Sequence, residues 1–167
     1  MSNNLLKSTR CNHALEHATI TLLNQRHPHA QVVGLSGPLG FTLYTNLTAE
    51  EIFPAVTDAL RYLKQGHHAL AIHPNCGTNL LTAATLTTAV TWLTLNPIHE
   101  KPKERVDRIL RAILLNALML LLARPLGSWM QAHLTVDPHV GHLELAAILT
   151  EYQGKIKRVR VHTRYNE

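Results

Sequence analysis

The chain has 167 residues, of which 46% are hydrophobic and 5% aromatic, and its formal net charge is +5. This length suits one average domain, or a small domain that carries an insertion. The basic residues are scattered and do not interleave with aromatic residues, so we expect no nucleic acid partner. The two cysteines, Cys11 and Cys76, exclude a disulfide framework, whereas the twelve histidines raise the expectation of a metal.

The first half of the chain predicts a compact α+β unit over residues 1–79. A helix is expected from Ser8 or Thr9 to about residue 25. The N-terminus has no apolar core and no small-residue cleavage site, so we expect no signal peptide there. Residues 30–47, "AQVVGLSGPLGFTLYTNL", predict a β-hairpin that turns at 36–38. Thr48 to Glu51 form a capping-box pattern before a second helix, in which Pro54 indicates either a later start or a kink. Residues 67–74, "HHALAIHP", predict a short buried strand that leads into the loop "NCGTN".

The segment 80–126 is a predicted hydrophobic helical hairpin. Residues 80–95 contain no charge, and residues 109–123 contain only Arg111 and are closed by Arg124-Pro125. Each run is somewhat short against the roughly 20 residues that span a bilayer. Two buried helices of a soluble bundle are the alternative. We favour a transmembrane hairpin, because a short soluble domain seldom buries two almost uncharged helices.

Residues 127–167 return to the composition of a soluble protein. The runs 142–150 and 156–163 are typical of strands, and "EYQGK" between them predicts a turn. We expect this C-terminal β-hairpin to complete the N-terminal sheet. The predicted fold class is therefore α+β, a small mixed sheet with two helices, with the helical hairpin inserted before the last two strands.

Membrane location and partners follow from the hairpin. An even number of spans places both flanking soluble parts on one side, which we expect to be the cytoplasmic side. Four basic residues of the connecting segment favour a cytoplasmic loop instead, so the orientation stays open: Lys101, Lys103, Arg105 and Arg108. The expected partners are the lipid bilayer and either a membrane protein complex or a second copy of the chain.

The stretch His13-Ala14-Leu15-Glu16-His17 is the main candidate site. Residues four apart on a helix project side by side, so His13 and His17 can bind one Zn²⁺ at about 2.0–2.1 Å each. Glu16 lies where it can reach a metal-bound water and act as general base. An ordinary hydrogen-bond network around the two rings is the alternative.

A third ligand has to come from another part of the chain. The stretch 71–79, "AIHPNCGTN", offers His73, which suits an open catalytic site, and Cys76, which suits a closed structural site. Asn75, Thr78 and Asn79 are candidates for second-shell or oxyanion donors. Three weaker ligand candidates follow in "DPHVGHLE": His139, His142 and Glu144.

Two resemblances bear on this site. The pattern H-x-x-E-H resembles that of the inverted zincins, the pitrilysin- and insulysin-like metallopeptidases, which implies His13 and His17 as zinc ligands and Glu16 as general base. "HALEHATI", "AIHPNCGTN" and "LLARPLG" together resemble an uncharacterised family of small bacterial membrane proteins, classed as a domain of unknown function. That resemblance implies a membrane hairpin. It also implies that the first two motifs form a single site.

Two functions are expected on these grounds. The first is a membrane-anchored, zinc-dependent hydrolase, peptidase-like, in which Glu16 activates a metal-bound water. The alternative is a non-catalytic accessory subunit of a membrane complex, with a structural or metal-binding histidine cluster. A haem-binding module is disfavoured because the chain has no C-x-x-C-H motif.

Overall fold

The computed structural model describes residues 2–96, 102–153 and 156–166. Its helices are α1 (Ser2–Arg26), α2 (Ala49–Lys64), α3 (Gly77–Leu95) and α4 (Pro102–Met130), and its strands are β1 (Val32–Gly37), β2 (Gly40–Thr45), β3 (Leu143–Gln153) and β4 (Ile156–Tyr165). A short 3-10 helix covers His68–Ala71, and a π-helical turn, Gln131–Thr135, extends α4. The fold class is α+β, as predicted. The chain divides into two compact units, Met1–His73 with Ala132–Glu167, and Pro74–Gln131.

The first unit is built on a four-stranded sheet of order β1-β2-β4-β3. All three strand pairs are antiparallel, and Phe41 of β2 lies opposite Val161 of β4. The C-terminal hairpin therefore completes the N-terminal sheet, as predicted. The inward side chains of β2 and β4 join those of α1 and α2 in a single apolar core.

Helix α1 begins earlier than its predicted cap at Ser8 or Thr9 and runs from Ser2. Its fully buried face includes Ala14, Leu15 and Ala18, which share a helical stripe. Buried Asn12 ties this face to the sheet, because its amide donates to Gly37 O at 2.8 Å and accepts from Thr163 at 2.6 Å. α1 is thus held against the sheet by both apolar contacts and hydrogen bonds.

The strand predicted for residues 67–74 is wrong. Residues 68–71 form a 3-10 helix instead, after Gly66 has ended α2 at φ +92°. Apolar alternation over so few residues does not separate a strand from a buried turn. Here Ala71 is fully buried, and its carbonyl accepts from a side chain of α1. The backbone is thus paired with α1 and not with a neighbouring strand.

Helix α2 keeps Pro54 inside its length. The helix begins at Ala49 behind the predicted capping box, in which Glu51 accepts from the backbone N–H of Thr48 at 2.7 Å. The later start that Pro54 suggested is therefore wrong. Pro54 lacks the N–H that would bond to the carbonyl of residue 50 in the first turn. The capping box stabilises that same turn.

The second unit is the helical hairpin of α3 and α4. The predicted helix end at Arg124-Pro125 is wrong, because α4 continues through Pro125 to Met130. Asn116 donates to Thr91 across the two helices at 2.9 Å, and Gln131 donates to Asn79 at 2.7 Å. Such pairs join helices whose surfaces are otherwise apolar. The sequence predicts a polar turn for the segment 96–108. Residues 97–101 of it lie outside the described residues, whereas residues 102–108 form the first turns of α4.

One helix among the described residues, Arg105–Thr135, is long and apolar enough to cross a membrane by length and composition. Its length of about 46 Å exceeds the roughly 30 Å hydrocarbon thickness. Only 11% of its most apolar window is buried within the protein. A helix in the core of a soluble protein would be mostly buried.

Candidate metal centre

His13 and His17 lie on the same side of α1, one turn apart. Their ring centroids are 4.3 Å apart and the rings meet edge to face. His17 is 2% exposed, and His13 is half-buried. The predicted side-by-side arrangement of the two imidazoles is present in the structure.

Each of these rings is oriented by a backbone carbonyl from a distant part of the chain. His13 Nδ1 lies 2.9 Å from Thr135 O, and His17 Nδ1 lies 2.7 Å from Ala71 O. A carbonyl oxygen can only accept, so Nδ1 carries the proton in both rings and Nε2 carries the lone pair in the neutral form. Metal-bound histidines in proteins usually donate the N–H of the other ring nitrogen to an acceptor such as a backbone carbonyl, which fixes the orientation of the ring.

The carbonyl of Thr135 is itself held in place from α1. Arg10, one turn before His13, donates from Nη2 to His133 O and to Val136 O, each at 3.1 Å. The guanidinium thus clamps the segment on both sides of Thr135. The orientation of His13 therefore depends on a residue of its own helix.

His73 approaches this pair at the end of the segment that follows the 3-10 helix. Its ring centroid lies 5.8 Å from that of His17. Three imidazoles, those of His13, His17 and His73, are therefore adjacent within the first unit. The bond from His17 to Ala71 helps to bring His73 near, because Ala71 is only two residues earlier in the chain.

Cys76 lies in the second unit, three residues after His73. Its role as the third ligand stays a prediction. Cys76 is buried and is the N-cap residue of α3, where its sulfur accepts from Thr78 N at 3.4 Å. Nitrogen and sulfur donors together are typical of zinc sites.

Glu16 is 5% exposed and lies beside the sheet. Ser36 of β1 donates a short hydrogen bond to Glu16 Oε2. Gly34, two residues earlier on the same strand, leaves room for this carboxylate, since a Cβ there would lie 2.5 Å from Glu16 Cδ. A buried carboxylate requires such partners, because unpaired burial costs several kcal/mol, roughly 2–7 for a polar group.

The other predicted candidates lie in varied surroundings. Asn79 Nδ2 donates to Pro74 O at 2.7 Å and its oxygen accepts from Gln131, so its amide stabilises the hairpin unit. His139 is exposed and bonds to Asp137, and His142 lies against Tyr165. The second-shell roles of Asn75, Thr78 and Asn79, and the weaker candidacies of His139, His142 and Glu144, stay predictions.

The two cysteines differ in their surroundings. Burial raises the pKa of the Cys11 thiol to about 11, so this side chain is a neutral thiol at pH 7. Its sulfur lies 3.9 Å from His139 O. Cys11 therefore acts as a core residue, and Cys76 stays the predicted cysteine ligand.

Five residues that position the site are missing from the sequence prediction. Ser36 and Gly34 contact Glu16, and Arg10 holds the segment around Thr135. Thr135 and Ala71 supply the carbonyls that orient the rings. The polar "GLSG" run within an apolar hairpin was the available indication for the first two. Backbone acceptors carry no sequence pattern, so the last two could not be found.

The comparisons with known proteins bear on the whole chain. Residues 8–148 match the family described as Domain of unknown function (DUF6391). The chain belongs to this family. The expectation of a family of unknown function is confirmed, and the likeness to inverted zincins stays a prediction.

A relative is known from Picosynechococcus sp. (strain ATCC 27264 / PCC 7002 / PR-6), where it is named an uncharacterised protein. It is 32% identical over 136 residues, which cover 74% of this chain and 63% of the relative. The chain thus spans less than two thirds of that protein's length. No solved structure matches the chain at a significant level.

Proposed function

We propose that this protein is a membrane-anchored, metal-dependent hydrolase that holds zinc and acts on peptide bonds. The observation that carries the proposal is the pair of Nδ1 bonds from His13 and His17 to backbone carbonyls. These bonds fix the neutral tautomer that presents Nε2 of each ring as a ligand. A hydrogen-bond network alone would give the same tautomer, so what favours a metal is the third imidazole, that of His73, whose ring centroid lies 5.8 Å from that of His17.

The ligands of the proposed ion are the two histidines and one donor from residues 73–76. His73 is supported by its approach to His17 within the first unit, and Cys76 is the alternative donor that the sequence offers. Zinc suits either donor, at about 2.0–2.1 Å for nitrogen and about 2.3 Å for sulfur. Three protein ligands leave a fourth position for water, as in catalytic zinc sites.

Glu16 is the proposed general base. It takes a proton from the water as the water oxygen bonds to the carbonyl carbon of the substrate. It then returns that proton to the amide nitrogen as the C–N bond breaks, so one water yields a carboxylic acid and an amine. Ser36 keeps the carboxylate in place through its hydrogen bond.

The membrane anchor is the hairpin of α3 and α4. Arg105–Thr135 is long enough to span a bilayer, and α3, with 19 residues, is about 28 Å long. Both helices expose large apolar side chains, among them Leu81, Trp92 and Leu121. With two spans the first unit lies entirely on one side of the membrane, and we propose the cytoplasmic side.

A second candidate function is a non-catalytic accessory subunit of a membrane complex. The observation that favours it is the burial of Glu16, which is 5% exposed and already hydrogen-bonded to Ser36. In that case the ion stabilises the fold, and Glu16 is only a buried, hydrogen-bonded carboxylate. The two candidates differ in what Glu16 does.

The deciding experiment is Glu16→Gln in protein purified without a histidine tag. If Glu16 is the base, the variant keeps the zinc content measured by elemental analysis and loses hydrolysis of a casein-derived peptide by about 100-fold or more. Glu151→Gln on β3, which is not a ligand candidate, is the matched control and should retain both. Equal hydrolysis by Glu16→Gln and the parent, or no stoichiometric metal in the parent, contradicts the hydrolase.

A further inference from the structure

The strand β1 is one edge of the sheet in the described part of the chain. Its sequence, Val32–Gly37, reads VVGLSG and contains no charged residue and no proline. An edge strand presents unpaired N–H and C=O groups, and proteins usually protect such edges with charges, proline or a bulge. β1 has none of these protections.

The other edge of the sheet is different. β3 carries Glu144 and Glu151, and a register shift between Leu145 and Ala147 interrupts its pairing with β4. Charges and a bulge are two of the usual protections of an edge. The fold therefore protects one edge of its sheet and leaves the other open.

The two faces of β1 have separate surroundings. Gly34 and Ser36 point inward and contact Glu16, whereas Val33 and Leu35 point outward and are 66% and 68% exposed. The open edge is therefore continuous with the carboxylate of the candidate site. A chain paired along β1 would run beside Glu16, with Val33 and Leu35 available to its side chains.

We propose that β1 binds the substrate as an extended peptide that adds to the sheet as a further strand. Main-chain hydrogen bonds supply the affinity, and apolar contacts with Val33 and Leu35 favour β-branched or aliphatic side chains at alternate positions. This inference names the substrate class of the proposed hydrolase and rests on that proposal. Because β1 would recognise the main chain of the peptide, we expect peptides of many different sequences to bind.

Fluorescence anisotropy of a fluorescein-labelled peptide of alternating valine and threonine, added to the full chain, tests the inference. A second peptide of the same sequence carries N-methyl groups at alternate residues, which removes the N–H donors on one side. We expect the N-methylated peptide to bind at least about tenfold more weakly. We expect Leu35→Lys to weaken binding of the unmodified peptide to a similar extent, because the added charge protects the edge.

Leu149→Lys on the protected edge is the matched control, since Leu149 is also exposed, and it should bind the peptide as the parent does. Equal binding of both peptides, equal weakening by both lysine variants, or no binding of the unmodified peptide would overturn the inference. The protein could instead form a dimer that Leu35→Lys dissociates and that the added peptide does not disrupt. That result would show that β1 pairs with a second copy of the chain and would overturn the inference. If the protein binds the peptide at β1 but holds no metal, the hydrolase proposal fails and the peptide-binding inference stands. The two proposals can therefore fail separately.

Discussion

Ser36 on the edge strand β1 donates its hydroxyl proton to the carboxylate of Glu16 on α1, which lies 20 residues earlier in the chain. This bond joins the candidate general base to the open edge of the sheet. Gly34 on the same strand allows the approach, since only hydrogen fits where its side chain would be. The position of Glu16 is thus determined by β1 as much as by the helix that carries it.

Gly34→Ala should displace Glu16. A Cβ at residue 34 would lie 2.5 Å from Glu16 Cδ and 2.7 Å from Glu16 Cγ, closer than carbon atoms pack. Because Gly34 does not have a positive φ, the backbone itself accepts alanine. We expect a loss of about 1–3 kcal/mol in the free energy of unfolding, measured by urea denaturation.

Gly37→Ala is the control for this prediction, because its Cβ would meet only Gly40 O, at 4.0 Å. It should change stability by less than about 1 kcal/mol. Adding Glu16→Ala to Gly34→Ala should recover part of the loss, since the clashing side chain is then gone. Equal losses for the two glycine variants would show that crowding at Glu16 is not the cause.

Removal of the metal should lower stability. If zinc is bound at a concentration 1,000 times its Kd, chelation removes about 4 kcal/mol and lowers the Tm, measured by differential scanning fluorimetry with and without chelator. His13→Ala should have the low Tm already and should not respond to chelator. His29→Ala, which changes an exposed histidine that is not a ligand candidate, should respond as the parent does. A response from His13→Ala as large as the parent's would argue against the site.

Asp58 should make the first unit sensitive to acid. Its carboxylate accepts from Arg26 of α1 at 2.5 Å and from Arg61 at 2.7 Å, and the bond with Arg26 lowers its pKa below the ordinary 3.8. Because the pKa of Asp58 is lower in the folded state, its carboxylate contributes stability that is complete above pH 3.8. This contribution is lost as the pH falls through the folded-state pKa.

Asp58→Asn should therefore be less stable than the parent at pH 7, and the difference should disappear in acid. Urea denaturation at a series of pH values measures it. A constant difference down to the most acidic pH would mean that the carboxylate charge is not responsible. Because this side chain lies near the surface, added salt should also reduce the difference.

A charge in the middle of α4 should oppose membrane insertion. Leu120 is 54% exposed and lies near the centre of Arg105–Thr135. An arginine at the centre of a spanning helix costs about 2.5–3.5 kcal/mol in insertion. We expect Leu120→Arg to reduce the fraction that stays with membranes after carbonate extraction.

Leu149→Arg on β3 is the matched control, with a similar exposure of 52%. It should leave the extracted fraction unchanged. If the parent itself is released by carbonate, or is soluble and monodisperse without detergent, the helix does not span a bilayer.

The sequence was sufficient for elements whose determinants are local. The capping box at Thr48 and Glu51 and the hairpin around Gly37 both depend on residues close together in the chain, and both are present. The spacing of His13 and His17 likewise needs only helical geometry. These features depend on a few neighbouring side chains, so they can be predicted from the sequence.

The failures concern long-range contacts. Residues 68–71 lie in a short, mostly apolar run that could be a buried strand, but they pack on α1, where Ala71 O accepts from His17. Pro125 resembles a helix end, yet α4 passes through it. Nor could spacing reveal that β1 contacts Glu16, because that contact depends on how α1 is placed on the sheet.

The pairing of β2 with β4 has a consequence for biosynthesis. Phe41 and Val161 are neighbours in the sheet, although the entire apolar hairpin is translated between them. Until the last strand leaves the ribosome, β2 has an exposed side where β4 will later lie. The N-terminal part of the sheet therefore stays incomplete while α3 and α4 are synthesised, and closure of the sheet is the final step. This late closure favours slow maturation and a need for chaperones during that interval.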